Sequence, residues 1–175
     1  MKKLHNLTFI LGGASSGKST YAEGLVISTG RPRTYIATAQ AFDDEMRQKI
    51  AAHIAQRGAD WTTVEAPFDP ATVLRSRDPA DVVLLDCITL WLTNVILADR
   101  DVDDAFDDLL TALAACLCPV VVVSNEVGMG IVPDNALSRR FRAAQGRINR
   151  ALAAQADRVV AVMAGLPLAL KGDLP

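Results

Sequence analysis

Gly12-Gly13-Ala14-Ser15-Ser16-Gly17-Lys18-Ser19 follows the spacing G-x-x-x-x-G-K-S/T, directly after the apolar run Leu7–Leu11 and at the head of a helical pattern. Strand, glycine-rich turn and helix in that order is the context in which this spacing makes a P-loop. The glycines let successive backbone N–H groups turn inward around a polyphosphate at the positive end of the following helix. Lys18 is then the catalytic cation that reaches the β and γ oxygens, and Ser19 offers a hydroxyl to Mg²⁺. The expected nucleotide-binding stretch is Gly12, Gly13, Ala14, Ser15, Ser16, Gly17, Lys18, Ser19 and Thr20. The other reading of these residues is a glycine-rich turn without a ligand.

The rest of the chain repeats the same alternation. Strand candidates are Leu7–Leu11, Thr34–Thr38, Trp61–Val64, Val82–Leu85, Val120–Ser124 and Val159–Met163; helical patterns cover Ser19–Ser28, Asp43–Arg57, Pro70–Ser76, Ile88–Leu97, Asp103–Leu117 and Asn135–Ala156. Short β-type runs between longer helical ones predict an α/β fold, a mostly parallel sheet with helices on both faces. Val120–Val123 is β-branched throughout, as a mid-sheet strand buried on both faces should be. Asp69-Pro70 reads as an N-cap with proline at the first helical position. Phe106, Leu109, Leu110, Leu113 and Leu117 make an apolar helical stripe, and Leu137, Phe141, Ile148 and Leu152 make another. With no repeat, linker or break in composition, residues 1–175 are expected to form one P-loop domain.

Eighteen Lys and Arg against twenty Asp and Glu leave a net charge of −2, so there is no general attraction to nucleic acid or to an anionic membrane. Phosphate binding must be local. Cys87, Cys116 and Cys118 lack paired C-x-x-C spacing and are read as small apolar residues of a reducing, cytoplasmic protein. His5 and Asn6 interrupt the apolar start, which is therefore read as a strand rather than a signal peptide, and Ile88–Ala98 is too short to span a bilayer. A soluble protein is expected. Asp99, Asp101, Asp103, Asp104, Asp107 and Asp108 crowd one helix start, a solvated helix end or, less simply, a metal site.

A P-loop calls for an acidic residue closing an apolar strand. Val82-Val83-Leu84-Leu85-Asp86 supplies one, so Asp86 is expected to hold Mg²⁺ with Ser19, the plainer alternative being a helix N-cap. Asn125 and Glu126 end the central strand, where open α/β sheets place ligands, although a polar loop start would look the same. Ser124-Asn125-Glu126-Val127-Gly128 does not supply the N-K-x-D of a GTPase switch. His53 shares a helical face with Met46 and Arg57; spacing alone leaves it a core-edge histidine or a catalytic one, and His5 is read as structural. Arg139, Arg140, Arg142, Arg147 and Arg150 form a basic helical face, either solvated or in part phosphate-binding.

Together these residues resemble the bifunctional adenosylcobinamide kinase/adenosylcobinamide-phosphate guanylyltransferases of cobalamin assembly. The resemblance runs over almost the whole chain. It rests on Gly12–Ser19, Tyr35-Ile36-Ala37-Thr38, Asp43-Asp44-Glu45-Met46 with His53, Leu85–Thr89 through Thr93-Asn94, Asn125–Pro133 and Gly146-Arg147-Ile148-Asn149. It implies a RecA-like P-loop NTPase fold and two reactions. A γ-phosphoryl group passes from ATP or GTP to the aminopropanol hydroxyl of adenosylcobinamide, and GMP then passes from GTP to that phosphate, giving adenosylcobinamide-GDP and pyrophosphate.

By the resemblance His53 is the catalytic residue that carries the guanylyl group, and Ala37, Thr38, Ala39, Ile54, Arg57 and Glu65 join the nucleotide-binding set with Asp86. It also implies Mg²⁺ as cofactor and a homotrimer. Three departures stand out: Ser15 where arginine is frequent, Asp86 where glutamate also occurs, and Ala52 in place of a second histidine. The competing readings are a P-loop kinase of another hydroxylated metabolite and a non-catalytic nucleotide-dependent switch.

Overall fold

The computed structural model describes residues 6–40 and 60–174. The expected helix over 43–57 lies outside them, as does His5. In chain order the elements are β1 (Leu7–Gly12), α1 (Lys18–Ser28), β2 (Arg33–Ala37), β3 (Trp61–Glu65), α2 (Pro70–Arg75), β4 (Val82–Asp86), α3 (Ile88–Leu97), α4 (Val102–Ala115), β5 (Val120–Asn125), α5 (Ala136–Gln155), β6 (Arg158–Met163) and β7 (Leu166–Lys171).

The strands form one sheet in the order β3-β2-β4-β5-β1-β6-β7. The first six of that order are mutually parallel, and β7 returns antiparallel to β6. β5, the all-valine run, lies in the middle as its composition requires, between the P-loop strand and the strand that ends in Asp86.

Alternation along each strand divides the apolar side chains between two cores. Ile10, Tyr35, Trp61, Leu84, Val121, Val123 and Val160 pack with Ala22, Leu25 and Val26 of α1 on one face. Phe9, Ile36, Leu85, Val120 and Val122 pack with residues of α2, α3, α4 and α5 on the other. Both faces are covered, as a parallel sheet built from crossover helices demands.

The helix starts behave as their sequences predict. The Asp69 carboxylate accepts from the Thr72 N–H at 3.0 Å, and Asp101 caps α4 by accepting from Asp103 and Asp104. The acidic run is thus a capped helix start, with Asp103 paired to Arg147 at 3.0 Å and Asp108 paired to Arg75.

Three expectations need correction. Leu117 is 78% exposed, because α4 stops at Ala115 and the extended backbone of Cys116 turns the chain toward β5 before the stripe reaches it. Leu137 is 52% exposed at the overhanging first turn of α5, beside a shallow apolar groove shared with Leu97 and Phe141. The seventh strand was not expected at all. Its leucines, Leu166, Leu168 and Leu170, face solvent, and Pro167 argues against a strand except at a sheet edge, which is where β7 lies.

Candidate active site

Six parallel strands end at one edge, and the pleat decides what they present there. Residues an even number apart on a strand share a face. Ile10, Tyr35, Trp61, Leu84 and Val123 belong to the core beneath α1. Gly12, Ala37, Glu65, Asp86 and Asn125 continue those strands in the same parity and so lie on the α1 side of the carboxyl edge. The register brings them level: Glu65 is opposite Ala37, Ala37 opposite Asp86, Asp86 opposite Val123, and Gly12 opposite Asn125.

The P-loop folds back over the end of β1. A Cβ on Gly12 would lie 2.5 Å from the Ser16 Oγ and 2.6 Å from the Val162 carbonyl, so only glycine fits. Gly17 caps α1 at φ 90°, with no side-chain cap and no acidic residue in the first turn. The first N–H groups of the helix and its positive end are therefore available to an anion. Lys18 is only 9% exposed and folds back across the loop, its Nζ donating to the Gly13 carbonyl at 3.0 Å. Outside the motif, the Gly165 N–H in the β6–β7 turn donates to the Ser16 carbonyl at 2.8 Å.

The Cys87 thiol is pushed up to about 12, first by burial and next by the Asp86 carboxylate, while the Lys18 ammonium pulls the other way. Lys18 opens α1 directly behind the loop and Asp86 closes β4 on the α1 side of the sheet, which supplies the cation and the carboxylate of a phosphate–metal site. Ser19 stands next to Lys18 in the first turn of α1. A carboxylate and a hydroxyl make an all-oxygen donor set, which suits a hard dication such as Mg²⁺. The buried Ser16 Oγ and Asn125 Oδ1, which have no hydrogen-bond partner among the described residues, add oxygen to the same edge.

Thr38 plays a different part from a ligand contact through its side chain. It is fully buried; its hydroxyl donates to the Cys87 carbonyl at 2.7 Å and accepts from the Cys87 N–H at 2.8 Å. Asn94 Nδ2 donates to the Thr38 carbonyl at 2.7 Å. Thr38 therefore ties the end of β2 to the start of α3. Ala39 follows it half-buried, and Glu65 is exposed at the end of β3. His53, Ile54 and Arg57 lie outside the described residues.

Behind β5 lies a polar cluster that motif reading did not assign. Ser124 Oγ donates to Asn149 Oδ1 at 2.7 Å, Gln145 Nε2 donates to the same oxygen at 2.9 Å, and Asn149 Nδ2 donates to the Asn125 carbonyl at 3.0 Å. From the other side the Thr89 hydroxyl accepts from the Asn125 N–H at 2.9 Å. The sequence signal was Asn149 at the end of Gly146-Arg147-Ile148-Asn149, a string that carried resemblance but no role. The arginines of α5 divide. Arg139 holds the Pro133 and Asp134 carbonyls at 3.0 and 2.6 Å, Arg142 holds the Gly128 carbonyl, and Arg147 pairs with Asp103.

The model of the family described as cobinamide kinase / cobinamide phosphate guanyltransferase matches residues 8–170. The chain belongs to that family. It is similar to the bifunctional adenosylcobalamin biosynthesis protein CobP of Pseudomonas aeruginosa, 46% identical over 94% of this chain and 96% of that one. The corresponding CobU of Salmonella typhimurium is 40% identical over 94% and 99%. Among solved structures, a RadB recombinase aligns with TM-score 0.56 and 15% identity over 90% of this chain and 75% of that chain. An ATPase of a bacterial type III secretion system aligns with TM-score 0.56 and 15% identity over 90% and 52%. At that identity the likeness shows the fold alone, a P-loop NTPase of the RecA-like kind, as the sequence led one to expect.

Proposed function

We propose that this member of the family phosphorylates the aminopropanol hydroxyl of adenosylcobinamide with ATP or GTP, then transfers GMP from GTP to the product to give adenosylcobinamide-GDP and pyrophosphate. The observation that carries this reading is that the P-loop with Lys18 and the strand end at Asp86 lie at the same edge of one sheet in a chain that matches the family model from residue 8 to 170. A kinase of another metabolite without nucleotidyl transfer is not favoured, since the match covers nearly the whole chain.

In the first reaction the chain's work is positioning and charge compensation. The amides of Gly13–Lys18 and the start of α1 surround the polyphosphate, and Lys18 leaves the Gly13 carbonyl for the β and γ oxygens. Ser19 and Asp86 would hold Mg²⁺, which when bound offsets charge on those oxygens. In the second reaction a His53 nitrogen attacks the α-phosphorus of GTP and the bond to the bridging oxygen breaks, releasing pyrophosphate. A phosphate oxygen of adenosylcobinamide phosphate then displaces the histidine from the same phosphorus. A neutral imidazole is a competent nucleophile at physiological pH. Arg57, one turn along the same helical pattern, offsets charge on the attacked phosphate. Ala37, Ala39, Ile54 and Glu65 contribute to the guanine and ribose pocket, and the buried Thr38 holds the end of β2 in place beneath it.

The family resemblance adds a cytoplasmic location and a homotrimer to this reading; among the described residues no helix is long and apolar enough to cross a membrane. The exposed leucines of β7 support self-association, which light scattering measures directly. The test of the chemistry is incubation with α-labelled GTP. The label is expected on denatured protein at one per chain, lost in acid and stable in alkali, as a phosphorus–nitrogen bond behaves. His53→Ala should take up none, make no adenosylcobinamide-GDP, and still accumulate adenosylcobinamide phosphate. Labelling or GDP product at a wild-type rate in that variant overturns the covalent role.

A further inference from the structure

We propose that Asn125 is a further catalytic residue of the phosphoryl transfer, its side-chain oxygen accepting a hydrogen bond from the O–H that faces the γ-phosphoryl group. This rests on the kinase reading above. β5 is inserted between the strand that opens the P-loop and the strand that ends in Asp86. Its last residue is therefore the one that the sheet sets between phosphate loop and carboxylate. Asn125 is level with Gly12, two residues beyond the partner of Asp86, and of the same parity as Val121 and Val123, which pack beneath α1. Ser124, of opposite parity, turns away to Asn149.

The backbone of Asn125 is held at both ends by side chains. Thr89 Oγ1 accepts from its N–H at 2.9 Å, and Asn149 Nδ2 donates to its carbonyl at 3.0 Å. Asn149, Gln145 and Ser124 are themselves buried and bonded to one another. Such clamping locates the side chain before any ligand arrives. Yet the Asn125 Oδ1 is buried with no partner among the described residues. A buried carbonyl oxygen without a donor is costly, and such groups mark places where a ligand or water completes the bond.

The donor is an O–H beside the γ-phosphate, supplied by the acceptor hydroxyl or by a water of the bound cation. During transfer the acceptor oxygen forms the bond to the γ-phosphorus. The bond to the bridging oxygen breaks, the nucleoside diphosphate leaves with that electron pair, and the hydroxyl proton passes to solvent. Asn125 takes no proton; it aligns the hydroxyl or fixes the water beside it.

The experiment compares Asn125→Ala and Asn125→Ser with the wild-type chain by kinase kinetics and by thermal shift. The shift is read without ligand, with a non-hydrolysable triphosphate, with Mg²⁺ added to that, and with adenosylcobinamide added last. For Asn125→Ala the expected results are an unliganded Tm equal to or above wild type, since an unsatisfied group is removed, and a kinase kcat at least tenfold lower. The ligand-dependent shift should shrink. Loss confined to the adenosylcobinamide increment assigns the acceptor hydroxyl; loss confined to the Mg²⁺-dependent increment assigns the water. Asn125→Ser, smaller but still an acceptor, should recover part of the rate. A kcat within twofold of wild type, undiminished shifts, or an unliganded Tm well below wild type in both variants overturns the assignment. If wild type itself transfers no phosphate to adenosylcobinamide, the kinase reading fails instead, and the two failures are distinct.

Discussion

The Gly165 N–H donates to the Ser16 carbonyl at 2.8 Å, so a turn near the end of the chain braces a loop near its beginning. Ala164 and Gly165 both have positive φ, the geometry of a tight hairpin turn whose twist suits the two strands it joins. That turn approaches the P-loop where Gly17 has no side chain: a Cβ there would lie 3.1 Å from the Gly165 Cα. The shape of the phosphate loop thus depends on β6 and β7 as well as on its own glycines.

Gly17→Ala tests that brace. A side chain at φ 90° costs ~1–3 kcal/mol and also presses on the hairpin turn. Calorimetry should show a lower Tm, and titration with a fluorescent GTP analogue at least tenfold weaker binding. Wild-type values in both would mean that the turn and loop yield freely.

Lys18→Ala removes the buried ammonium that the proposed mechanism uses in both reactions, because both begin from a triphosphate. Kinase kcat and α-label uptake should each fall by about a hundredfold or more, the scale expected for a group aimed at transition-state charge. Phosphorylation of adenosylcobinamide within a few-fold of wild type would remove Lys18 from the mechanism.

Cys116 and Cys118 sit with sulfurs 3.5 Å apart. The hydrogen bond from Cys118 holds the Cys116 thiol well below the ordinary range, with Arg77 adding to the effect, whereas Cys118 is raised. Cys87 is pushed up to about 12 by burial and by Asp86. The thiolate is the species that alkylates, so iodoacetamide at pH 7.5 should modify Cys116 first and leave Cys87 untouched in the folded protein. Peptide mass spectrometry reads the order, and early modification of Cys87 would contradict its burial.

Asn149→Ala strips the acceptor from the Ser124 hydroxyl and the side-chain donor from the Asn125 carbonyl, while the Gln145 amide keeps only the Ser124 oxygen. Leaving buried polar groups unsatisfied should cost about 3 kcal/mol, which for a chain of this size lowers Tm by roughly 6–12 °C. Kinase kcat should fall as well, because Asn125 loses one of its two anchors. A loss of Tm with kcat unchanged would make the cluster purely structural.

Much of this was legible residue by residue. Leu7–Leu11 followed by Gly12–Ser19 determined a strand, a phosphate loop and a helix; Val120–Val123 determined a central strand; Asp69 and Asp101 determined where two helices begin. These signals are local, set by backbone sterics, capping and apolar alternation. β7 was not legible because its leucines face solvent and Pro167 weakens the pattern, so the strand exists only by pairing with β6. The exposure of Leu117 and Leu137 was not legible because a periodic stripe does not say where its helix stops or what lies over its first turn.

The site divides in the same way. Sequence alone named Lys18, Ser19 and Asp86, since each carries its chemistry within a short recognisable string. That Asn125 stands between Gly12 and Asp86, that Thr38 is a structural tie, and that Gly165 braces Ser16 were decided only in three dimensions. Alternation says which residues of one strand share a face, but not which strand lies next to it. That choice is made by the packing of crossover helices over residues far apart in the chain.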